Sequence, residues 1–332
     1  MLRALLLLAV LGIGVLAYLF LAPFGPSRET FVEIGSGTTS RQIARELHAQ
    51  GIIRSRYLFD GLRLANEVSK SSTLKAGEYR FDHPATVSEV YDRIRRGDVF
   101  TISLTIPEGS NIFDIAARVE AAQLGTLEGF EAAALRNGAL VTDLDPGAVS
   151  LEGYLFPDTY EFGRRTTPIQ MVTAMVKRFR AVAASLGLEG NTRRVVTMAS
   201  LIERETPVKT ERPLVASVFE NRLAQGMPLE TDPSVIYAAL LAGRYRGTIY
   251  QSDLNADSPY NTYKNPGLPH GPICNPGFSA LQAALHPANT KYLYFVAASP
   301  DPSGRSRFAA TLEEHKKNVQ AYRQALHTAG GR

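Results

Sequence analysis

The sequence predicts an α+β chain in three parts: an N-terminal transmembrane helix, a small strand–helix subdomain, and a larger, mainly helical domain. Three observations predict this. A stretch without any charge lies between Arg3 and Arg28, a strand–glycine–helix unit occurs twice, and helical periodicity dominates after about residue 145. The chain has 332 residues, 45% hydrophobic and 20% charged, enough for a sizeable core and inconsistent with disorder. Cys274 is the only cysteine, which excludes an intramolecular disulfide framework and a multi-cysteine metal site. A net charge of +4 suits an anionic neighbour, but no clustered basic patch marks a nucleic-acid binder.

The first element is the apolar run of residues 4–22. At about 1.5 Å per residue it nearly spans a bilayer core of roughly 30 Å. Arg3 favours a cytoplasmic N-terminus. A cleaved signal peptide is the main rival, but Phe20-Leu21-Ala22 is no cleavage site and Gly12-x-Gly14 is a poor one. The expectation is a single-pass anchor in contact with the lipid bilayer, with the remaining chain exported. Pro23, Gly25, Pro26 and Ser27 read as an exit linker, so this part covers residues 1–27.

The repeated unit comes next. Ile34, Gly37, Ile43 and Ala44 correspond to Ile106, Gly109, Ile115 and Ala116. Thr39 with Gln42, and Asn111 with Asp114, supply matching helix-start signals. Phe31–Ile34 and Ile102–Ile106 read as the strands, and Ile43 with Leu47 shares a helix face. The repeat is either a duplicated βα scaffold element or a LysM-like module, a small fold that often binds glycan chains. The subdomain covers residues 28–100, and the second copy, residues 101–145, opens the larger domain of residues 101–332.

Helices follow. Thr167-Pro168-Ile169-Gln170 is a capping box with proline at the first helical position. Met171, Met175, Phe179 and Val182 form a core stripe, and residues 193–205 form a strongly apolar helix. Asp232-Pro233 opens a helix to Gly243, with Asp232 as its N-cap. Ser279 caps a short helix, Tyr292–Ala297 reads as a buried strand, and Thr311 opens the last helix. Tyr245–Gly277 has little periodicity. Its tyrosines and asparagines suit a polar, flat-faced ligand such as a sugar.

Glu203 is the candidate acid, because a carboxyl group ending an apolar helix loses water and holds its proton more tightly. The competing reading is a helix-end carboxylate paired with an arginine. Glu205 points about 200° away and is expected to be solvated or paired with Arg204 or Arg212. The six histidines show no metal-ligand spacing, and no phosphate-binding or dinucleotide-binding fingerprint occurs. No metal and no organic cofactor is expected.

The run Ala199–Thr206 (ASLIERET) resembles the signature of the endolytic murein transglycosylases, the YceG-like family. Other blocks follow in the family's order: Leu151–Tyr160, Ala216–Leu223, Thr231–Tyr237, Tyr260–Tyr263, Gly267–Pro272, His286-Pro287 and Tyr292–Ala297. The resemblance implies an inner-membrane protein whose catalytic domain lies in the periplasmic or outer cell-wall space. It implies cleavage of the β-1,4 bond between N-acetylmuramic acid and N-acetylglucosamine within nascent peptidoglycan strands, leaving 1,6-anhydro ends and ending strand elongation. It assigns the catalytic glutamate to Glu203. One carboxyl group suffices if the C6 hydroxyl of the substrate replaces water. Around it, the resemblance points to Glu152, Tyr154, Asp158, Tyr160, Ser200, Thr231, Asp232, Tyr237, Asn261 and Tyr263 as substrate-binding residues, and to cell-wall synthases as partners. Two rival functions stay open: a water-using muramidase, and a non-catalytic glycan-binding scaffold.

Overall fold

A computed structural model describes residues 2–67, 73–188, 190, 192–301 and 304–330, without the side chains of residues 2, 4 and 328–330. It divides into two compact units, Met1–Ile102 and Ser103–Arg332.

The first unit opens with α1 (Leu2–Leu21), whose apolar side chains from Leu5 to Leu16 are all more than half exposed. Among the described residues, no helix is long and apolar enough to cross a membrane. The end of α1 is fastened to the unit. Phe20 packs on its core. Phe24 and Ala85 exchange backbone hydrogen bonds of 2.9 and 3.0 Å. The Arg54 guanidinium lies 5.0 Å from the Tyr18 ring and 5.1 Å from that of Phe24. The segment expected as an exit linker is therefore part of the fold, because Phe24 has both an antiparallel partner and a cation over its ring.

The unit continues as β1 (Thr30–Ile34), α2 (Ser40–Ala49), α3 (Arg56–Glu67), β2 (Gly77–Phe81) and α4 (Val87–Arg96). β1 and β2 are antiparallel, with Val32 opposite Tyr79. Ile43 and Leu47 face inward, as their four-residue spacing requires, and meet Phe59, Tyr79 and Tyr91 in one core. Capping boxes start α2 at Thr39/Gln42 and α4 at Thr86/Glu89.

The second unit begins with a copy of this pattern: β3 (Ile102–Thr105), α5 (Ile112–Ala121), α6 (Leu127–Arg136) and β4 (Thr159–Phe162), with β3 paired to β4. Gly37 and Gly109 both sit at φ 80°, the left-handed turn that a glycine enters without penalty. The strand–helix–helix–strand pattern of the second copy thus runs past residue 145 to residue 162.

The helical remainder comprises α7 (Pro168–Ser185), α8 (Thr192–Glu205), α9 (Arg212–Ala224), α10 (Asp232–Leu241), the short α11 (Gln251–Leu254), α12 (Phe278–Leu285), the hairpin β5 (Tyr294–Ala297) and β6 (Ser306–Ala309), and α13 (Leu312–Gly330). The Met171, Met175, Phe179 and Val182 stripe of α7 is buried. α8 is the central element, packed against α9, α10 and α12. Two starts differ from the sequence expectation. Thr231, not Asp232, caps α10, and Gly277, not Ser279, caps α12. β5 is half-buried rather than fully buried, because its two-stranded sheet leaves one face partly open.

Candidate active site

The last turn of α8 carries two glutamates in different surroundings. Glu203, with a side chain only 5% exposed, is clamped on both oxygens. Oε1 accepts from Arg212, which is itself 3% exposed, and Oε2 accepts the Gly277 N–H at 3.0 Å. Glu108 lies 3.7 Å from Arg212 and from Lys209, completing a charged cluster. Burial raises the Glu203 carboxyl above its usual range, and the Gly277 N–H and Arg212 pull it back. This is the arginine-paired helix-end carboxylate of the competing reading.

Glu205 faces the other way, onto a cavity of about 230 Å³. The expected pairing with Arg204 or Arg212 does not occur. Arg212 is taken by Glu203, and Arg204 reaches the Gly109 carbonyl at 3.4 Å. Loss of water pushes the Glu205 carboxyl up to about 7, helped by the negative charge of Asp232 and opposed by Arg222. That places its proton where a general acid needs it near neutral pH.

The walls combine carboxylates, aromatic rings and one fixed cation. Thr231, Asp232 and Tyr263, all expected at the site from the sequence, line the cavity with Glu205. Asp232 is the first residue of α10, and its Oδ1 accepts from the Tyr263 hydroxyl at 2.7 Å. Arg222 is committed to the wall. It donates to the carbonyls of Leu293, Pro228 and Leu229 at 2.7–3.1 Å, and its guanidinium lies 5.3 Å from the Tyr294 ring. Tyr294 in turn stacks on His315, centroids 5.1 Å apart. Burial and Arg222 push the His315 imidazole below its ordinary value, which favours its neutral form. Glu230, on the rim, has a left-handed backbone at φ 53°, a conformation a glutamate adopts only under constraint.

The other expected site residues lie elsewhere, and most are building residues. Glu152 is 2% exposed and joins three segments: it accepts from the Ile112 N–H at 3.0 Å and the Asn275 amide at 2.9 Å, and it contacts Tyr237. Tyr237 is 2% exposed among Phe113, Tyr260 and Glu152. Tyr154 is buried, with its hydroxyl on Asp145, which also receives Arg193. Ser200 does not touch Glu203. Its hydroxyl donates to the Thr197 carbonyl and accepts the Ile273 N–H. Asn261 is fully buried, donating to the Leu254 and Ala256 carbonyls at 2.9 Å, so its amide shapes the loop and is not free for an N-acetyl group. Asp158 pairs with Arg178 at 2.6 Å, and the Tyr160 hydroxyl donates to the Phe156 carbonyl, outside the cavity. The sequence reading missed Glu205, Arg222, Tyr294 and His315. Tyr294 and Arg222 lie inside family-like blocks, and Glu205 inside the signature run itself. Among the described residues, no group of three or more His, Cys, Asp or Glu side chains is placed to hold a metal ion.

Comparison with known proteins covers nearly the whole chain. The profile of the YceG-like family matches residues 32–321. An endolytic murein transglycosylase of Bacillus subtilis is 35% identical over 312 residues, 88% of this chain and 84% of that protein. One from Streptococcus pneumoniae is 29% identical, covering 90% of this chain and 60% of the longer relative. The crystal structure of a YceG-like protein from Listeria monocytogenes superposes with a TM-score of 0.57 at 33% identity, covering 88% of this chain and 99% of that one.

Proposed function

The chain belongs to the YceG-like family, and from that premise we propose that it is an endolytic murein transglycosylase with Glu205 as its acid and base. Its substrate is a nascent peptidoglycan strand, cut at the β-1,4 bond between N-acetylmuramic acid and N-acetylglucosamine. The observation that carries the choice of Glu205 is a water-poor carboxyl group, held near pH 7 without an ion pair, on the wall of a cavity of sugar-sized features. Glu203 has neither an open face nor a free oxygen.

Protonated Glu205 donates to the glycosidic oxygen as the bond from C1 breaks, and the electron pair leaves with that oxygen. The C6 hydroxyl of the muramic acid then attacks C1, and the Glu205 carboxylate takes its proton. The acid is regenerated, no water is consumed, and the product is a 1,6-anhydro end. Intramolecular attack benefits from a high effective molarity, so one titrating carboxyl group serves both half-steps. Tyr263 and Tyr294 line the same cavity as Glu205.

We also propose that the charge-free run of residues 4–22, although α1 as described is not long and apolar enough to cross a membrane, is the anchor, N-terminus inside, holding the second unit in the extracytoplasmic space beside the strand-elongating synthases. Its shell of exposed leucines, Leu5 to Leu8, Leu11 and Leu16, supports this reading.

The test uses the full-length chain in lipid nanodiscs on uncrosslinked glycan strands, with the new ends read by mass spectrometry. The parent is expected to give anhydro ends. Glu205→Gln, with native melting temperature, is expected to give none. Glu203→Gln is expected to melt lower while keeping measurable turnover at permissive temperature. Reducing ends would make the protein a hydrolase, and no cleavage by the parent would favour a glycan-binding scaffold. An active Glu205→Gln beside a folded, inactive Glu203→Gln would return the acid to Glu203.

A further inference from the structure

We propose that Asp232 is a second catalytic carboxylate of this cavity, ionised beside the sugar ring that Glu205 protonates, and that Tyr263 is its positioning residue. The inference rests on the assignment of Glu205 as the acid.

Four observations converge on Asp232. It shares the cavity with Glu205. It stands at the first position of α10, where the aligned peptide dipoles stabilise negative charge. Its Oδ1 is held by the Tyr263 hydroxyl at 2.7 Å, while no protein hydrogen bond is described for Oδ2. Tyr263 is itself fixed, since its backbone N–H donates to Asn261 Oδ1 at 3.0 Å and Asn261 is locked to the loop carbonyls. Arg222, the cation of the wall, does not neutralise Asp232. Its contacts are backbone carbonyls, the Tyr294 ring and Glu230 at 3.6 Å.

Two carboxyl groups in one cavity divide their work when their environments differ. Glu205 is water-poor and carries the proton. Asp232 is exposed, hydrogen-bonded and at a helix start, and carries the charge. As the bond from C1 breaks, positive charge grows on the ring, and a fixed anion that needs no rearrangement lowers the barrier. Asp232 forms no bond in this role, so the attack by the C6 hydroxyl is unchanged. The negative charge of Asp232 also helps keep Glu205 protonated.

The groups acting on Glu205 come from every surrounding element: Arg204 on α8, Arg222 on α9, Asp232 on α10, with Glu230, Tyr263, Tyr294 and His315 around the cavity. The experiment is therefore a pH profile of the full-length protein in nanodiscs, comparing parent, Asp232→Asn, Tyr263→Phe and Glu205→Gln. Asp232→Asn is expected to lower kcat about 100-fold with a smaller change in KM, and to move the basic limb of kcat/KM to lower pH. The limb moves because Glu205 loses its proton sooner without the neighbouring charge. Tyr263→Phe is expected to lower kcat by about a tenth of that factor. Full kcat in Asp232→Asn, or a loss of kcat with an unmoved basic limb and a lowered melting temperature, would overturn the role of Asp232 and leave that of Glu205 intact. Turnover by Glu205→Gln would instead remove the premise.

Discussion

Glu203 and Glu205 are two residues apart on one helix and meet opposite fates, since about 200° of rotation sends them into different surroundings. A similar division separates Glu152 from both. Its carboxyl group is pushed up to about 8 by burial, so the native state holds this proton more tightly than the unfolded chain. Its contribution to stability is full below the ordinary carboxyl range and is lost as pH rises through about 8. The melting temperature of the second unit is thus expected to fall across that window, and Glu152→Gln is expected to flatten the fall. A calorimetric pH series on both proteins reads it, and an unchanged slope in the variant would discount Glu152 as the cause. Next to it, Gly153 sits at φ 87°, and a Cβ there would come within 2.6 Å of Pro272 and 2.7 Å of Val196. Gly153→Ala combines roughly 1–2 kcal/mol for the left-handed backbone with roughly 1–3 kcal/mol for overpacking. Chemical denaturation should therefore show a loss of about 2–5 kcal/mol, and a loss under 1 kcal/mol would mean the neighbours yield easily.

At the scale of elements, the helix starts are independent local devices. Thr39 and Thr86 each close a capping box with the third residue of the helix. Replacing either by alanine is expected to lower stability by about 1 kcal/mol. Since the two boxes belong to different helices, the losses should add, which a double variant checks by denaturation. Such devices were legible in the sequence for the same reason that they are independent: Thr39 and Gln42, or Asn111 and Asp114, lie within one turn of each other. The repeat was legible too, because Gly37 and Gly109 announce the same turn. The cavity was not. Its walls come from the end of α8, from Arg222, from residues 229–232, from Tyr263 and Tyr294, and from His315 on α13. No spacing within a single segment relates them. For the same reason a glutamate pointing away from the apolar face of α8 read as solvated, when α9 and the following loop wall it in. Polar residues in family blocks, such as Asn261 and Ser200, read as ligand contacts but hold loops in place, because their partners are backbone groups: the Leu254 carbonyl for Asn261 and, far along the chain, the Ile273 N–H for Ser200.

For the whole molecule, Cys274 is a single built-in probe. It is 1% exposed, its Sγ contacts the Ser200 carbonyl at 3.3 Å, and burial holds its thiol well above the usual range. A thiol reagent should leave the native protein unlabelled and react only as the second unit opens. The labelling rate should therefore rise steeply with denaturant, and fast labelling in buffer would show that the 270s loop opens locally. At the other end of the chain, the paired rungs between Phe24 and Ala85 have a mechanical meaning. A tether with a swivel lets its cargo point anywhere. A splice of backbone rungs, a half-buried Phe20 and a guanidinium over two rings transmits torque instead. If α1 is the anchor proposed above, the first unit would inherit the tilt of the helix and turn only when the helix spins about its own axis. A clone cut at residue 28 would remove a wall of the first unit along with the helix, and it should melt below one that begins ahead of Phe20.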